Sequence, residues 1–250
     1  MVPAAAFASI GGLLAGSFIT VVAHRVPQGE SIVGPRSRCP GCGAQIAAYD
    51  NVPVLSWLLL RGRARCCGTR ISARYPLTEL TLAALYALTV AVLWDEPGEI
   101  ALGLIFVTAL LAVTLTDLER RIIPNKILAV ASLLGVAVVA VTDPGSLPER
   151  AAAAAAAGGL LFAAALAYPR GMGLGDVKLA ATMGLFLGRD VAPAIFVALV
   201  AGSLVGLAMM ARHGAAARKR AIPFGPFLAF GGLVGLLAGG PLVDWYLGTF

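Results

Sequence analysis

The sequence predicts an all-α polytopic membrane protein, with about eight transmembrane helices and a small cytoplasmic cysteine-containing domain between the first and second helices. Hydrophobic residues make up 59% of the chain and charged residues only 13%, and the mean hydropathy is +0.87. The apolar residues form long continuous runs, which favour helices over the alternating pattern of a membrane β-barrel. One polar, basic stretch interrupts the runs and contains all four cysteines.

Eight apolar runs are the candidate helices. They cover residues 4–24, 76–94, 99–116, 124–142, 150–168, 176–188, 190–211 and 223–247. The sixth run has only about 13 residues, whereas a helix needs about 20 to cross an average bilayer, so a re-entrant segment is an alternative for it. We therefore divide the chain into a first transmembrane helix (1–24), a cytoplasmic domain (25–75) and a seven-helix membrane domain (76–250).

The distribution of basic residues predicts the orientation. With eight spans and the N-terminus outside, 17 of the 19 Lys and Arg residues fall in inside loops, and only Arg150 and Arg189 lie outside. This asymmetry satisfies the positive-inside rule. If the sixth run did not cross, the basic group from Arg212 to Arg220 would lie outside, against that rule. The net charge of +6 is thus a topology signal rather than a sign of nucleic-acid binding, and both termini are expected outside.

The cysteines suggest a metal site. Cys39-Pro40-Gly41-Cys42 is a C-x2-C knuckle of the kind that binds zinc through two thiolates. Cys66 and Cys67 are adjacent, and adjacent side chains of an extended segment point in opposite directions, so ligation by both needs a local kink. Two hypotheses stay open: a structural zinc site, or a folded loop with reduced cysteines. A cytoplasmic location argues against disulfides, although small domains usually need a metal or a disulfide.

Two aspartates at the ends of apolar runs are the candidate catalytic groups. Asp117 closes the third run, and Asp176 follows a glycine-rich turn at the start of the sixth. Ionisable groups at membrane depth are rare and usually face a functional site. The predicted topology puts both aspartates at the cytoplasmic face. If they meet, the two carboxyl groups share one proton, so one can activate water while the other hydrogen-bonds a scissile carbonyl.

The residues around these aspartates have simpler interpretations. Gly173 and Gly175 permit a turn or a close backbone approach. Lys178 projects from another helix face, towards lipid headgroups. The rival acids are less suitable, because Glu119 lies in a charged turn and Asp190 falls at the opposite membrane face. His24 and His213 lie beside basic residues and are interfacial in this interpretation.

Segments spread over nearly the whole chain resemble those of the type IV prepilin peptidases, a family of bacterial inner-membrane leader peptidases and N-methyltransferases. The resembling segments, in family order, are residues 16–22 with 25–27, 35–42, 49–57, 71–80, 117–119 with 123–124, and 173–178. The Gly-x-Gly-Asp motif alone would also suit presenilin-like proteases. The cysteine-containing domain makes the resemblance specific to the prepilin peptidases.

The resemblance implies that Asp117 and Asp176 are the catalytic aspartates of an intramembrane protease, with Gly173, Gly175 and Lys178 in its active-site loop. The implied substrates are type IV prepilins or type II secretion pseudopilins, cut at the cytoplasmic face after a glycine that precedes a hydrophobic helix. The enzyme would then methylate the new N-terminus with S-adenosylmethionine. Glu79 is a candidate for the methylation site.

This sequence departs from the family pattern at two positions. Ala64 stands where the second knuckle of the family has its first cysteine, and Thr20 stands where the family usually has asparagine. The first departure leaves both the zinc site, with Cys39, Cys42, Cys66 and Cys67 as its candidate ligands, and the methyltransferase activity open. A peptidase without methyl transfer is therefore one alternative, and a proton-coupled transporter or assembly component is another.

Overall fold

The computed structural model describes residues 2–34, 36–169, 171–214 and 222–248. The regular structure of these ranges is helical, as predicted, apart from two isolated β-bridges. The chain forms two compact units, Met1–Asp95 and Glu96–Phe250. The division between them lies twenty residues later in the sequence than the boundary at 75–76 used above. Several residues of the sequence argument lie outside the described residues: Pro35, Arg170, Arg218, Lys219, Arg220 and the side chain of His213.

The first unit is built on α1 (Val2–Arg25) and α3 (Arg74–Val92), which pack against each other. A Cβ on Gly12 would lie 2.6 Å from the Cα of Ala83, and one on Gly16 would lie 2.7 Å from the Cα of Glu79, so the two helices are antiparallel. Helices in lipid associate through such close backbone packing, since lipid tails are as apolar as the side chains. Gly12 and Gly16 therefore set the register of this pair.

Short elements connect α1 to α3. They are the 3-10 helices Val26–Gln28 and Ala48–Asn51 and the five-residue α2 (Leu55–Leu59). The Trp57 indole N–H donates to the carbonyl oxygen of Ile71 (3.1 Å). The Arg65 guanidinium donates to the Asp50 carboxylate from two nitrogens (2.9 and 3.1 Å). Specific polar contacts thus organise a segment that has little core of its own.

The second unit contains α4 (Pro97–Arg120), α5 (Asn125–Thr142), α6 (Leu147–Ala167), α7 (Leu174–Leu187), α8 (Val191–His213) and α9 (Gly225–Leu247). α6 packs on α7, α8 packs on α9, and α4 packs on both α5 and α9. Phe106 of α4 and Phe186 of α7 are fully buried, and their rings stack with centroids 5.0 Å apart. α4 and α7 therefore meet in the core of the unit.

The eight predicted runs correspond to α1 and α3–α9. Seven stretches of the described residues can cross a membrane by length and composition, and one of these, Leu174–Arg212, comprises both α7 and α8. Gly188, with φ of +56°, separates the two helices. The sixth run is thus a helix of its own, as predicted.

Contacts along α9 show the directions of α7 and α8. A Cβ on Gly232 would touch Met183 and one on Gly235 would touch Leu187, so α7 is parallel to α9. Gly231 instead faces the carbonyl oxygen of Ala194, and Gly239 faces Asp190, so α8 is antiparallel to α9. The starts of α7 and α9 therefore share one end of the second unit, and that end holds the candidate site.

Candidate active site

Asp117 and Asp176 lie at the same end of the second unit. Asp117 is in the last turn of α4, and Asp176 is in the first turn of α7. The negative charge of Asp117 acts electrostatically on Asp176. Both residues are buried, with 6% and 9% of their surfaces exposed. Two acids that are 59 positions apart in the sequence therefore lie buried at the same end of the unit.

A glycine amide holds each aspartate. The N–H of Gly225 donates to Oδ2 of Asp117 (2.9 Å), and the N–H of Gly173 donates to Oδ2 of Asp176 (3.1 Å). Gly225 is the first residue of α9, and Gly173 is the residue before α7. The first N–H groups of a helix have no partner within the helix, and they carry the positive end of its dipole. The carboxylates thus receive neutral donors placed to stabilise negative charge.

Within the part of the chain that the structure describes, neither aspartate lies within ion-pairing distance of Lys or Arg. Arg121 is the cation whose charge acts on Asp117. Its backbone has φ of +55° and ends α4, and its N–H donates to the carbonyl oxygen of Asp117 (2.9 Å). The chain therefore turns immediately beyond Asp117, and the partners that hold the two aspartates are backbone amides rather than charged side chains.

Two glycines are needed here for steric reasons. A Cβ on Gly225 would lie 2.7 Å from Oδ2 of Asp117, and a Cβ on Gly175 would lie 3.0 Å from Cβ of Ile123. The close approach expected at Gly175 is thus present. Sequence analysis did not identify Gly225. Its signal is the segment Pro223-Phe224-Gly225-Pro226 at the start of the last apolar run, where a glycine between two prolines indicates a constrained helix entrance.

The structure also places Lys178 and the two rival acids of the sequence analysis. Lys178 donates from Nζ to Oδ1 of Asn125 (3.0 Å), at the start of α5. Glu119 is exposed at the end of α4. Asp190 lies at the opposite end of the unit, against Gly239 and beside Arg189. Of these four acids, Asp117 and Asp176 are therefore the two that are buried at this end of the unit.

In the first unit, the sulfur atoms of Cys39, Cys42, Cys66 and Cys67 all lie within 4.8 Å of one another. The separations are 3.5 Å between Cys39 and Cys67 and 3.3 Å between Cys42 and Cys66. Tetrahedral zinc with Zn–S bonds of about 2.3 Å needs sulfurs about 3.8 Å apart. The four thiols could therefore hold a metal ion, because a turn brings the Sγ atoms of the two adjacent cysteines to 3.9 Å.

Hydrogen bonds shift the pKa values of Cys66 and Cys67 in opposite directions. Bonds from the hydroxyl and backbone of Thr69, with smaller contributions from Cys39 and Cys42, lower the pKa of Cys67 to about 6. Hydrogen bonds to Cys42 and Cys39 raise the pKa of Cys66 to about 12. Zinc binds the thiolate form of cysteine. The contacts with Thr69 therefore favour the thiolate form of Cys67.

Glu79 is buried, at 6% exposure, in the first unit. Its carboxylate accepts hydrogen bonds from the backbone N–H of Val54 (2.7 Å) and from the hydroxyl of Ser17. Val54 has φ of +60°, which is unfavourable for a β-branched residue. The contacts of Glu79 therefore hold α1, α3 and the start of α2 together, while its part in methylation stays a prediction.

Models of two protein families match this chain. Residues 10–93 match the model of the bacterial peptidase A24 N-terminal domain, and residues 104–210 match that of the type IV leader peptidase family. No solved structure matches the chain significantly.

Several relatives carry the name prepilin leader peptidase/N-methyltransferase, and three of them illustrate the similarity. The chain is 34% identical to the one from Aeromonas hydrophila, over 95% of this chain and 92% of the relative. It is 36% identical to that of Burkholderia pseudomallei strain K96243, over 94% and 86%. It is 34% identical to that of Bacillus subtilis strain 168, over 95% and 96%. The chain therefore belongs to the type IV leader peptidase family of multi-pass membrane enzymes, the peptidase A24 prepilin leader peptidase/N-methyltransferases.

Proposed function

We propose that this enzyme removes the leader peptides of type IV prepilins or type II secretion pseudopilins, with Asp117 and Asp176 as its catalytic pair. The observation that carries the proposal is the pair itself. Two carboxyl groups are buried at one end of a helical bundle, each held by a backbone amide rather than by a cation. The family membership supplies the substrate class, since the named relatives are prepilin leader peptidases.

The proposed chemistry uses one proton shared by the pair. The ionised carboxylate takes a proton from a water molecule, and the water oxygen attacks the scissile carbonyl carbon. The protonated carboxyl donates to the carbonyl oxygen in the same step. When the tetrahedral intermediate collapses, the C–N bond breaks, the leaving nitrogen takes the water-derived proton from one carboxyl, and a hydroxyl of the intermediate returns its proton to the other carboxylate. Either aspartate can carry the first proton, because such a pair titrates as a unit.

We place this end of the second unit at the cytoplasmic membrane face. Arg120, Arg121, Lys126 and Lys178 lie at or near the end that holds the aspartates, whereas Arg150 and Arg189 lie at the other. The positive-inside rule favours this orientation, with both termini outside. A prepilin whose hydrophobic helix lies in the inner membrane then presents its basic leader at the face where the aspartates lie. Gly173, Gly175 and Lys178 are the proposed active-site loop.

We also propose that the new N-terminal amine is methylated with S-adenosylmethionine as the methyl donor. The names of the relatives carry this second activity. When bound, S-adenosylmethionine would supply the methyl group from its sulfonium to the amine nitrogen, which would release a proton. Glu79 stays the candidate residue for this site, at the position where α3 meets α1.

A zinc ion bound by Cys39, Cys42, Cys66 and Cys67 is the proposed metal of the first unit. The donor set of four thiols and their spacing fit zinc better than magnesium or calcium, which prefer oxygen ligands. When bound, the metal supplies folding stability. Two contacts of the protein itself also order this segment: Arg65, which precedes Cys66 in the chain, pairs with Asp50, and Thr69 forms a hydrogen bond with Cys67.

A product assay tests the two activities separately. Purified enzyme in lipid vesicles is mixed with a prepilin that carries its leader and first hydrophobic segment, and the products are analysed by mass spectrometry. We expect a chain shortened at the glycine that precedes the hydrophobic segment, and a product one methyl group heavier when S-adenosylmethionine is added. The D117N/D176N double variant is the control for cleavage.

Two results would count against the proposal. An uncut prepilin with the folded wild-type enzyme would refute the peptidase assignment. A cut but unmethylated product in the presence of the methyl donor would refute the second activity alone.

A further inference from the structure

The two cysteine-containing turns of the first unit are copies of one backbone motif, offset by 25 positions. In the first copy, Cys39 N–H donates to the Ala44 carbonyl oxygen and Gly43 N–H donates to that of Cys39, both at 2.8 Å. The second copy repeats both bonds at 2.8 Å: Ala64 N–H donates to Thr69, and Gly68 N–H donates to Ala64.

Three more features repeat with the same offset. Ile46 N–H donates to the Ser37 carbonyl oxygen (2.9 Å), and Ile71 N–H donates to that of Gly62 (2.8 Å). The β-bridge Arg38–Gln45 corresponds to Arg63–Arg70. The glycines that end the turns, Gly43 and Gly68, have φ of +71° and +72°. The correspondence is therefore structural as well as sequential, with four identical residues in the ten aligned positions of 37–46 and 62–71.

The repeat shows which thiol is out of place. Cys42 corresponds to Cys67, and Cys39 corresponds to Ala64, which has no thiol. Cys66 corresponds to Gly41, a position without a ligand in the first copy. The second copy thus carries its first sulfur two residues later than the motif would put it.

The sulfur contacts indicate that Cys66 replaces the missing thiol. The sulfur of Cys39 lies 3.5 Å from that of Cys67. When each residue is replaced by its counterpart in the other copy, this contact becomes one between position 64 and Cys42. The observed neighbour of Cys42 is instead Cys66, at 3.3 Å. The side chain of Cys66 therefore reaches the corner of the cluster that position 64 would occupy in a symmetric site.

Steric room explains why the displacement is tolerated in this copy. A Cβ on Gly41 would lie 2.2 Å from the hydroxyl oxygen of Thr69, so the first copy has no space for a side chain there. In the second copy, the counterpart of the contact between Gly41 and Thr69 would be a contact between position 66 and Ala44. The side chain of Ala44 ends at Cβ, so it leaves room for a side chain at position 66. A cysteine thus fits at position 66, whereas its counterpart at position 41 would clash with Thr69.

We propose that Cys66 is a relocated ligand, which completes a four-thiolate zinc site whose geometry the repeat would otherwise assign to position 64. The inference rests on the proposed zinc site and deepens it. Its consequence is that the thiol can be moved back. A chain with cysteine at position 64 and glycine at position 66 should form the symmetric site with two C-x2-C knuckles.

The test measures metal binding to the full-length enzyme in detergent, independently of peptidase activity. Zinc per chain is determined under competition with a chelator, and cobalt(II) is added to the metal-free protein to count thiolate ligands from its absorption spectrum. We expect the wild type to hold one zinc with four thiolates. The C66G variant should bind at least about tenfold more weakly, because a lost ligand costs at least as much as a lost outer-shell partner.

The A64C/C66G variant should recover the affinity and the four-thiolate spectrum, whereas the matched A64S/C66G control, which differs by one atom, should not. Wild-type affinity in C66G would overturn the proposal, and so would equal weakness of the two double variants when both elute as folded protein. A wild type that binds no zinc would overturn this inference and the zinc site together. Prepilin cleavage by the same sample would show that the peptidase assignment stands apart from both.

Discussion

Buried charged side chains have different kinds of partner at the two ends of the second unit. At one end, the Arg150 guanidinium pairs with the Glu99 carboxylate and donates to the Phe186 carbonyl oxygen (2.6 Å) at the last turn of α7. At the other end, Asp117 and Asp176 accept hydrogen bonds from glycine amides. Arg150, Asp117 and Asp176 are about equally buried, each 6–9% exposed. The ends therefore differ in the partners of the charges rather than in their burial.

We interpret the Arg150–Glu99 pair as structural and the two aspartates as groups that can take part in chemistry. An ion pair fixes the carboxylate as an anion, because protonating it would leave its buried cation unpaired. An amide holds a carboxyl group in place without neutralising it, so the group can still take up and release a proton. We expect variants at the Arg150 end to change stability and variants at the aspartate end to change catalysis.

The largest effect is expected from D117N and D176N. An amide cannot act as an acid or a base, so each variant should lower the rate of prepilin cleavage by at least about 10⁴-fold, the upper range for general acid–base catalysis. Cleavage in lipid vesicles measures this rate. E99Q is the matched control, since it makes the same change at the other end and should retain most of the rate. Substantial cleavage by either aspartate variant would remove the catalytic distinction between the ends.

G225A should have the next largest effect. Its Cβ would lie 2.7 Å from Oδ2 of Asp117, so the carboxylate must shift, and a displacement of about 1 Å can cost about 100-fold in rate. The expected loss is in kcat more than in KM. G206A is the control, because a Cβ at this helical glycine of α8 meets no atom within 4 Å. Equal rates for G225A and the wild type would mean that the amide of Gly225 does not position Asp117.

R150M should reduce stability rather than the rate of chemistry. It removes the donor of Phe186 and the partner of Glu99, and losing a hydrogen bond to a charged group costs about 2 kcal/mol. The thermal unfolding midpoint in detergent should fall, while kcat at low temperature should stay near that of the wild type. R189M is the control at the same end, since Arg189 is 61% exposed in its pair with Asp244. A large loss of kcat in R150M with an unchanged midpoint would contradict the assigned roles.

K178M should have the smallest effect. The bond between Lys178 and Asn125 is exposed, and exposed polar pairs contribute at most about 1 kcal/mol. We expect prepilin cleavage within about fivefold of the wild type, a ratio that corresponds to about 1 kcal/mol. A loss comparable with that of D176N would show that Lys178 acts in the reaction.

Sequence reasoning identified the helices and the aspartates for local reasons. Hydropathy and run length mark each helix, because a segment in lipid must satisfy its own backbone hydrogen bonds. Asp117 and Asp176 are conspicuous because an acid at the end of an apolar run is rare. The charge count predicted one face for both, and the structure does put them at one end of the second unit.

The partners of these groups could not be inferred in that way. Gly225 holds Asp117 across 108 positions, Arg150 reaches Glu99 across 51, and Cys66 meets Cys42 across 24. None of these pairs follows from hydropathy or from motif spacing. The internal repeat was also not identified, because it consists mainly of backbone hydrogen bonds that different side chains can form.

The sequence by itself determined where the eight apolar helices of this protein lie, which acids lie at their ends and which cysteines are available to a metal. Only the tertiary structure decided that Asp117 meets the start of α9, that Arg150 closes the other end of the unit, and that Cys66 turns towards Cys42. The physical reason is that helix formation in lipid depends on neighbours along the chain, whereas a hydrogen bond between two helix ends depends on how the helices pack.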